Sequence, residues 1–386
     1  MNIHLDKILE RKKILFISSW FPNKIEPTNG NFVQRHAEAV AKIHDVEIVH
    51  AIGDFNQKQK FLEDDRVING IRTCIIYYKN SKNPVQNFLR RMQAYKKGYH
   101  KMQKPDLVHA NVMHNSMVFA VYLKKKFKIP FVVTEHWTAL REVNRNRTPF
   151  ITKLIAKIIG NAAEKILPVS GDLKKGLKKI GITTEMKVIP NVVNTNLFKP
   201  VMKSGSDFTF IHVSNLIPRK NSDKILKVAL KLLSKGYRFN LQLGGDGNID
   251  TLKDEVKNAK AEDRIEIFGI QTIAQVAERM QKSDCFILFS DDENQPCVIA
   301  EAFACGLKVI STNVGGISEF FPENAGILLP KVDEEQLFSA MSLILEEPKN
   351  ESVSLLSQYA KDTFSEEIIG RKFSEVYENI CKNKNP

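Results

Sequence analysis

Cys285–Thr312 reads CFILFSDDENQPCVIAEAFACGLKVIST. An apolar run, CFILFS, opens it, an acidic loop follows, a helical pattern occupies Cys297 to Cys305, and KVIST closes it as a second β-branched run. Strand, helix, strand in that order predicts a parallel pair covered by its crossover helix. Pro296 suits the first helical position, with Asn294 or Gln295 near the cap. Glu301 then falls about one and a half turns into the helix, while Glu293 hangs in the loop at its mouth.

The same alternation extends in both directions. FTFIHVS, RFNLQLGG, RIEIFG and AGILLP read as further strands of the second half, with helices at about Ser222 to Ser234, Thr272 to Gln281 and Glu334 to Leu345. In the first half the strand runs are KILFISS, DVEIVHA, RTCIIYY, DLVHAN, FVVTE, KILPVS and KVIP, with periodic segments such as Asn31 to Ile43 and Asn115 to Phe127 between them. VMKSGSDF, after Pro200, resembles a linker. The expectation is α/β, with two Rossmann-like domains of parallel sheet covered on both faces, residues 1–200 and 201–364. Ser365 to Cys381 carries Ile368, Ile369, Phe373, Val376, Tyr377 and Ile380 at helical spacing and reads as a docked helix.

With 386 residues and 43% hydrophobic side chains, the chain is too long for one small core and too apolar for disorder. Leu107 to Leu123, the longest stretch without a formal charge, holds His109, Asn111, His114, Asn115 and Ser116, which a bilayer would reject. MNIHLDKILERKK lacks an apolar export region, so the expected location is the cytoplasm. Five cysteines without a CxxC pair fit neither a disulfide framework nor a zinc site.

Charge is unevenly placed. Residues 1–200 hold 35 Lys/Arg against 16 Asp/Glu, whereas 201–386 hold 22 against 28, so the +13 of the whole chain divides into +19 and −6. Lys79 to Lys104 alone has eight Lys/Arg and no acid, with Phe88, Leu89, Met92, Tyr95 and Tyr99 at helical steps. Such a helix can meet an anionic membrane surface or a charged acceptor, or simply pack its stripe on its own domain.

Ligands of open parallel sheets bind beyond the carboxyl ends of the strands. After KILFISS, Gly30 precedes a helix whose exposed N–H groups suit a phosphate, although a glycine there can equally just turn the chain. FVVTE runs into His136, which can bond a sugar hydroxyl or carry a proton, and His109 and His114 are similar candidates. After FTFIHVS, Arg219 and Lys220 stand before a helix N-terminus, where the macrodipole disfavours cations, and so look placed for an anion such as a diphosphate. Glu293 and Glu301 would repel that diphosphate but accept hydrogen bonds from hydroxyls. A nucleotide sugar has this layout, hydroxyls at both ends and phosphates between.

HVSNLIPRKN, LGGDGN, IEIFGIQ and the block from Cys285 to Glu319, with Glu293 and Glu301 at E-x7-E spacing, resemble the retaining glycosyltransferases of family 4. VIPNVVNTNLF is similar to that family's strand-to-linker signature, and the first half matches around Gly30, TEHW and PVS. The resemblance implies the GT-B architecture, two Rossmann-like domains facing across a cleft with the last helix, within 365–386, crossing back to the first. It implies that Lys220 binds the donor diphosphate, Glu301 the ribose hydroxyls and Glu293 the donor sugar. Backbone amides around Pro296, Cys297 and Val298 would lie near sugar and phosphate, and Gly269, in IEIFGIQ, joins the donor-binding set. His136 stands as the histidine near the donor sugar and Gly30 where the N-terminal loop approaches the diphosphate. The family's glycine-arginine pair reads Ser214-Asn215 here, and Arg219 is expected to supply the charge that Asn215 lacks.

The implied reaction moves a glycosyl group from a nucleotide diphosphate sugar, expected to carry uridine, to an acceptor hydroxyl with retention. No metal or other cofactor is expected, and the expected acceptor is a glycan or lipid-linked hydroxyl, met at the inner face of the cell membrane. Two alternatives remain open: a nucleotide-sugar epimerase of the same architecture, which alters the sugar without an acceptor, and a non-catalytic nucleic-acid-binding protein using the +19 half. The second lacks a recognised motif and has two Trp for stacking, so no nucleic acid is expected as partner.

Overall fold

The computed structural model describes residues 10–202, 207–346 and 353–382. It divides into two compact units, Met1–Val192 with Glu366–Pro386, and Val193–Ser365.

The first unit is a seven-stranded sheet, β1 (Lys13–Ser18), β2 (Asp45–Asp54), β3 (Phe61–Ile68), β4 (Ile71–Lys79), β5 (Leu107–Asn111), β6 (Phe131–Glu135) and β7 (Lys165–Pro168), in the order β3-β4-β2-β1-β5-β6-β7. Its helices are α1 (Asn31–Ala41), α2 (Pro84–Tyr99), α3 (Val118–Phe127), α4 (Phe150–Ala162) and α5 (Gly171–Lys179). Alternate residues of one strand serve opposite cores: Leu15 and Ile17 pack with Tyr95, Phe119 and Ile159, while Ile14 and Phe16 pack with Val33 and Val40 of α1. Strands buried on both faces read as unbroken apolar runs, which is why they were legible.

All pairs of that sheet are parallel except one: β3 runs antiparallel to β4. The apolar pattern does not mark this edge strand, because Glu63, Asp64 and Asp65 break it. Asn69 (φ 48°) and Gly70 (φ 80°) close the hairpin, a pair of positive φ angles that Asn-Gly adopts readily. KVIP is not a strand. Its backbone follows β7 as an irregular segment, Lys187 N–H donating to Ile166 O at 3.1 Å and Ile189 N–H to Pro168 O at 3.1 Å.

In the second unit β8 (Thr209–Ser214), β9 (Asn240–Gly245), β10 (Ile265–Phe268), β11 (Cys285–Leu288), β12 (Lys308–Thr312) and β13 (Gly326–Leu329) form an all-parallel sheet ordered β10-β9-β8-β11-β12-β13. The chain moves outward from β8 to β10, then returns to the other side of β8 with β11, so the direction of winding reverses between β8 and β11. Its helices are α6 (Ser222–Ser234), α7 (Asp250–Asn258), α8 (Ile273–Lys282), α9 (Cys297–Ala304), α10 (Glu334–Glu346) and α11 (Val353–Phe364).

The last helix, α12 (Glu366–Lys382), belongs to the first unit and packs on α1. The two backbones approach so closely that a Cβ on Gly370 would stand 2.6 Å from the Ala39 carbonyl oxygen. Tyr377 is fully buried, its hydroxyl 2.6 Å from Nδ1 of His109. The division falls at Val192/Val193 rather than after Pro200. Val193 N–H donates to Phe364 O at 2.9 Å, and Phe198 is buried in the second unit's core, so the segment before Pro200 already belongs there. The central residues of VMKSGSDF lie outside the described residues.

Candidate functional site

The reversal of winding between β8 and β11 leaves a crevice at the strands' carboxyl ends, the place where doubly wound sheets bind ligands. The two loops that leave it carry the residues singled out from the sequence. After β8 the chain turns through Leu216 and Asn221, both at positive φ, around a short 3-10 turn at Pro218–Lys220. After β11 it enters the acidic loop before α9.

The loops are laced together. Asp291 N–H donates to Arg219 O at 2.9 Å, Arg219 Nη1 donates to Asp292 O at 2.8 Å, and Asn221 Nδ2 donates to Phe289 O at 3.0 Å. Among these bonds Lys220 and Glu293 form a direct ion pair, both side chains buried to about nine-tenths (11% and 8% exposed). A buried charge requires such a partner, because either ion alone in this setting would cost several kcal/mol, roughly 3–5. Near the pair, His212 Nδ1–H donates to Ile287 O (2.8 Å), which leaves Nε2 of the neutral ring to accept from the Ser214 hydroxyl (2.9 Å). Burial holds its imidazole down at about pKa 4, so it is neutral.

Glu301 lies on α9, 2% exposed. Pro296 is the N-cap of α9, one position earlier than expected, and Cys297 takes the first helical place. Pro296, Cys297 and Val298 are each partly exposed at that helix end. Arg219 is bound to the acidic loop through its guanidinium. Asn215 is exposed on the same loop as Lys220, and Gly269 follows β10, where an added Cβ would meet only Ile249 at 3.7 Å. Gly245, which ends β9, has φ 135°, and a Cβ there would fall 1.9 Å from Ser214 O. Only glycine lets β8 and β9 end side by side.

Gly30 and His136 belong to the first unit. Gly30 caps α1 at φ 75°, and a Cβ there would lie 2.5 Å from the Trp20 carbonyl, so the fold of the preceding loop itself demands glycine. His136 is buried. Its ring packs tilted against Phe32, in the first turn of α1, at 4.1 Å between centroids, and lies 5.3 Å from His36. The Asn191 side chain hydrogen-bonds it, and desolvation, reinforced by His36 and His109, keeps its pKa well below the ordinary value.

Sequence reasoning missed the residue that holds this loop. Glu135, fully buried, accepts from the backbone N–H groups of Met113 (2.6 Å), His136 (2.7 Å) and Trp137 (2.7 Å). Desolvation raises its pKa to about 7 against the pull of those three donors. A carboxylate between a strand and the histidine of TEHW was the available signal.

The basic run Lys79–Lys104 forms α2, which packs Ala94, Tyr95 and Gly98 inward. Several of its cations are held within the unit: Arg91 donates to Tyr78 OH at 2.9 Å, Arg90 to Lys79 O at 2.5 Å, and Lys97 and Lys101 pair with Glu63. Among the described residues no three His, Cys, Asp or Glu side chains stand together as metal ligands.

Two Rossmann-like units, the second with a lysine–glutamate pair at its switch point, define a doubly wound α/β architecture. Comparison with known proteins specifies it. The family described as "Glycosyl transferases group 1" matches residues 193–363, and "Glycosyltransferase Family 4" matches 30–197. The chain belongs to the GT4-type glycosyltransferases, with the GT-B fold. A phosphatidylinositol N-acetylglucosaminyltransferase subunit of Homo sapiens is 29% identical over 204 residues, 50% of this chain and 41% of that protein. The chain thus spans about half the length of the curated relatives it matches. Among solved structures, sucrose-phosphate synthase of Thermosynechococcus elongatus superposes with TM-score 0.75 at 18% identity, covering 96% of this chain and 99% of that one. Anabaena HepE, solved in complex with UDP, gives 0.72 at 17%, covering 95% and 100%.

Proposed function

We propose that the protein transfers a glycosyl group from a uridine diphosphate sugar to an acceptor hydroxyl, with the anomeric configuration retained. The observation that carries this reading is the buried Lys220–Glu293 pair at the switch point of the second sheet. Lys220 has three N–H donors and Glu293 occupies one, which leaves donors for a diphosphate. Negative charge grows on the departing phosphoryl oxygen as the glycosidic bond breaks. A lysine already out of water stabilises that charge more than an exposed one would, without reorganisation. In this reading the lysine does what a divalent cation does elsewhere, and no metal is needed. Glu293 accepts from the donor sugar's hydroxyls, Glu301 from the ribose, and the first amides of α9, at Cys297 and Val298, add to the diphosphate site. The departing phosphate takes the acceptor proton. UDP in the Anabaena neighbour supports uridine, and the human relative's name supports an acceptor of the lipid-linked or glycan kind.

A thermal-shift panel of UDP-, GDP- and ADP-sugars tests the donor, since a ligand that binds only the native state raises Tm by mass action. UDP-sugars should raise it, and hydrolysis or transfer should follow with retention, read by NMR of the product anomer, in the presence of a chelator. No shift with any nucleotide sugar, or a sugar altered without an acceptor, overturns the proposal.

A further inference from the structure

Among the described residues of the first unit, the most exposed large apolar side chain is not on α2. It is on the segment that continues from the β6 loop, Val143 to Ile158. Val143 is 68% exposed, Phe150 75%, Ile151 58%, Leu154 38% and Ile158 52%. At 100° per residue, Phe150, Leu154, Ile158 and Ile151 fall within an arc of about 100° on α4. The opposite arc is already used: Ala156, Ile159 and Gly160 are buried against the sheet, a Cβ on Gly160 meeting Ile182 at 2.8 Å. Helix α4 is thus apolar on both sides, the pattern of a helix buried all round, while one side faces solvent. Contiguous exposed surface of this kind marks a docking site.

The charges around it select the partner. From Val143 to Ala163 there are four cations, Arg145, Arg147, Lys153 and Lys157, and no acid. Lys153 and Lys157 flank one edge of the exposed arc. At the other end of α4, Lys124 donates to Ala162 O at 2.7 Å, and Lys125, Lys126 and Lys128 stand exposed beside it. An open groove of about 410 Å³ lies there, lined by Val121, Lys124, Lys125, Lys128 and Pro130, with Glu164 as its acid, paired to Lys124. An apolar strip flanked by cations, rising from the strand end that carries His136, matches a plane with an oily interior and anionic headgroups.

We propose that α4 and the turn before it rest in the interface of an anionic lipid bilayer, Phe150, Ile151, Leu154 and Ile158 entering the acyl boundary and the basic residues meeting headgroups. No helix among the described residues is long and apolar enough to cross a membrane, so the contact is peripheral. It is independent of the transferase reading, because it is measured without donor.

The test is flotation of the full chain with phosphatidylcholine vesicles, with and without about one-third phosphatidylglycerol. Binding should require the anionic lipid, weaken with salt, and fall at least tenfold in Phe150→Glu/Ile151→Glu. The paired change Val85→Ser/Leu89→Ser on α2 should leave it within twofold. Both variants alter exposed side chains, and unchanged thermal unfolding checks their folding. Failure to float with anionic vesicles, equal binding by the Phe150/Ile151 variant, or a self-association of the protein abolished by that variant without vesicle binding, each overturns the proposal. UDP-sugar binding by the same variant should be unchanged.

Discussion

The two units share the order of their parallel strands and use it with different electrostatics. In the second, the crevice between β8 and β11 holds a fixed positive and a fixed negative charge within one laced pair of loops. In the first, the corresponding reversal lies between β1 and β5, and neutral groups close it: Ser19 N–H donates to Asn111 O (3.3 Å) and its hydroxyl contacts Ser116 Oγ at 2.6 Å. The histidines follow the same division. His36, His44, His50, His109 and His136 are buried in the first unit, whereas His212 is the buried histidine among the second unit's described residues. Burial holds His36 at about pKa 3 and His50 at about 4, and His109 and His136 well below the ordinary range. A parallel sheet therefore fixes where a ligand can sit, while the loops decide whether that place carries charge.

The largest effect should come from cutting the charged pair. Lys220→Met is expected to lower transfer by about 10²–10³-fold, the usual loss when a preorganised charge-stabilising group is removed. It should also destabilise by about 3–5 kcal/mol, since Glu293 is left buried without its partner. Glu293→Gln should cost similarly in stability. The double variant Lys220→Met/Glu293→Gln should recover most of the stability and none of the transfer, as read from urea midpoints and initial rates. A double variant as unstable as either single one would mean that the two charges are not coupled.

Acid should act on the other unit. A histidine whose folded pKa is depressed contributes stability fully present above pH 6.5, where both states are neutral. Below that pH the unfolded chain takes up the proton and the folded chain does not, so stability falls as pH drops from 6.5 toward the folded value. Each such histidine contributes about 1.4 kcal/mol per pH unit across that window. Glu135 opposes them: its raised pKa makes the folded state bind a proton first, adding stability as pH falls from about 7 to 4.5. Six depressed histidines, His44 and His114 at about 4 among them, outweigh one carboxyl. Both tryptophans, Trp20 and Trp137, lie in the first unit, so their fluorescence reads it alone. Between pH 7 and 5 the fluorescence-detected unfolding midpoint should fall by several degrees. His36→Asn should flatten that dependence, and an unaltered slope would remove the buried-histidine account.

Glu135→Gln gives a smaller effect in the same unit. The carboxylate accepts three backbone N–H bonds; an amide presents one accepting oxygen and brings its own donors into their midst. Leaving a buried N–H unpaired costs about 1–3 kcal/mol, and the Trp137 emission maximum should move because its own N–H is one of the three. Retention of both midpoint and emission would show that the loop is held by packing on Phe32 instead.

The second unit was the more legible because its chemistry is contiguous. Lys220 sits just before α6, and Glu293 and Glu301 bracket the start of α9, so sequence spacing is nearly spatial position. What spacing could not show was that the lysine and the first glutamate, 73 residues apart, face each other, because that depends on β8 and β11 being neighbours. In the first unit the relevant contacts are longer in range: His109 meets Tyr377 across 268 residues. Charge misled twice there. The acidic residues of β3 hid an edge strand, and the cations of α2 drew attention from α4, whose exposed apolar arc cannot be told from a buried one by periodicity alone. Where a run is apolar on every side, only the fold reveals which side is covered.

The hairpin that the acids concealed sets the smallest expected change. Ile68 pairs with Ile71, so Asn69 and Gly70 alone form the turn, both at positive φ. No atom lies within 4 Å of a Cβ added to Gly70, in contrast with Gly245, where Ser214 O would be struck at 1.9 Å. The cost of Gly70→Ala is therefore that of the left-handed backbone alone, about 1 kcal/mol, partly offset by the lower entropy of the unfolded chain. It should lower the tryptophan-detected midpoint slightly and leave UDP-sugar binding untouched, since the turn belongs to the edge of the first sheet and the charged pair to the second unit. A loss of donor binding in this variant would mean that the edge hairpin is coupled to the charged site, and the division of labour between the units would have to be withdrawn.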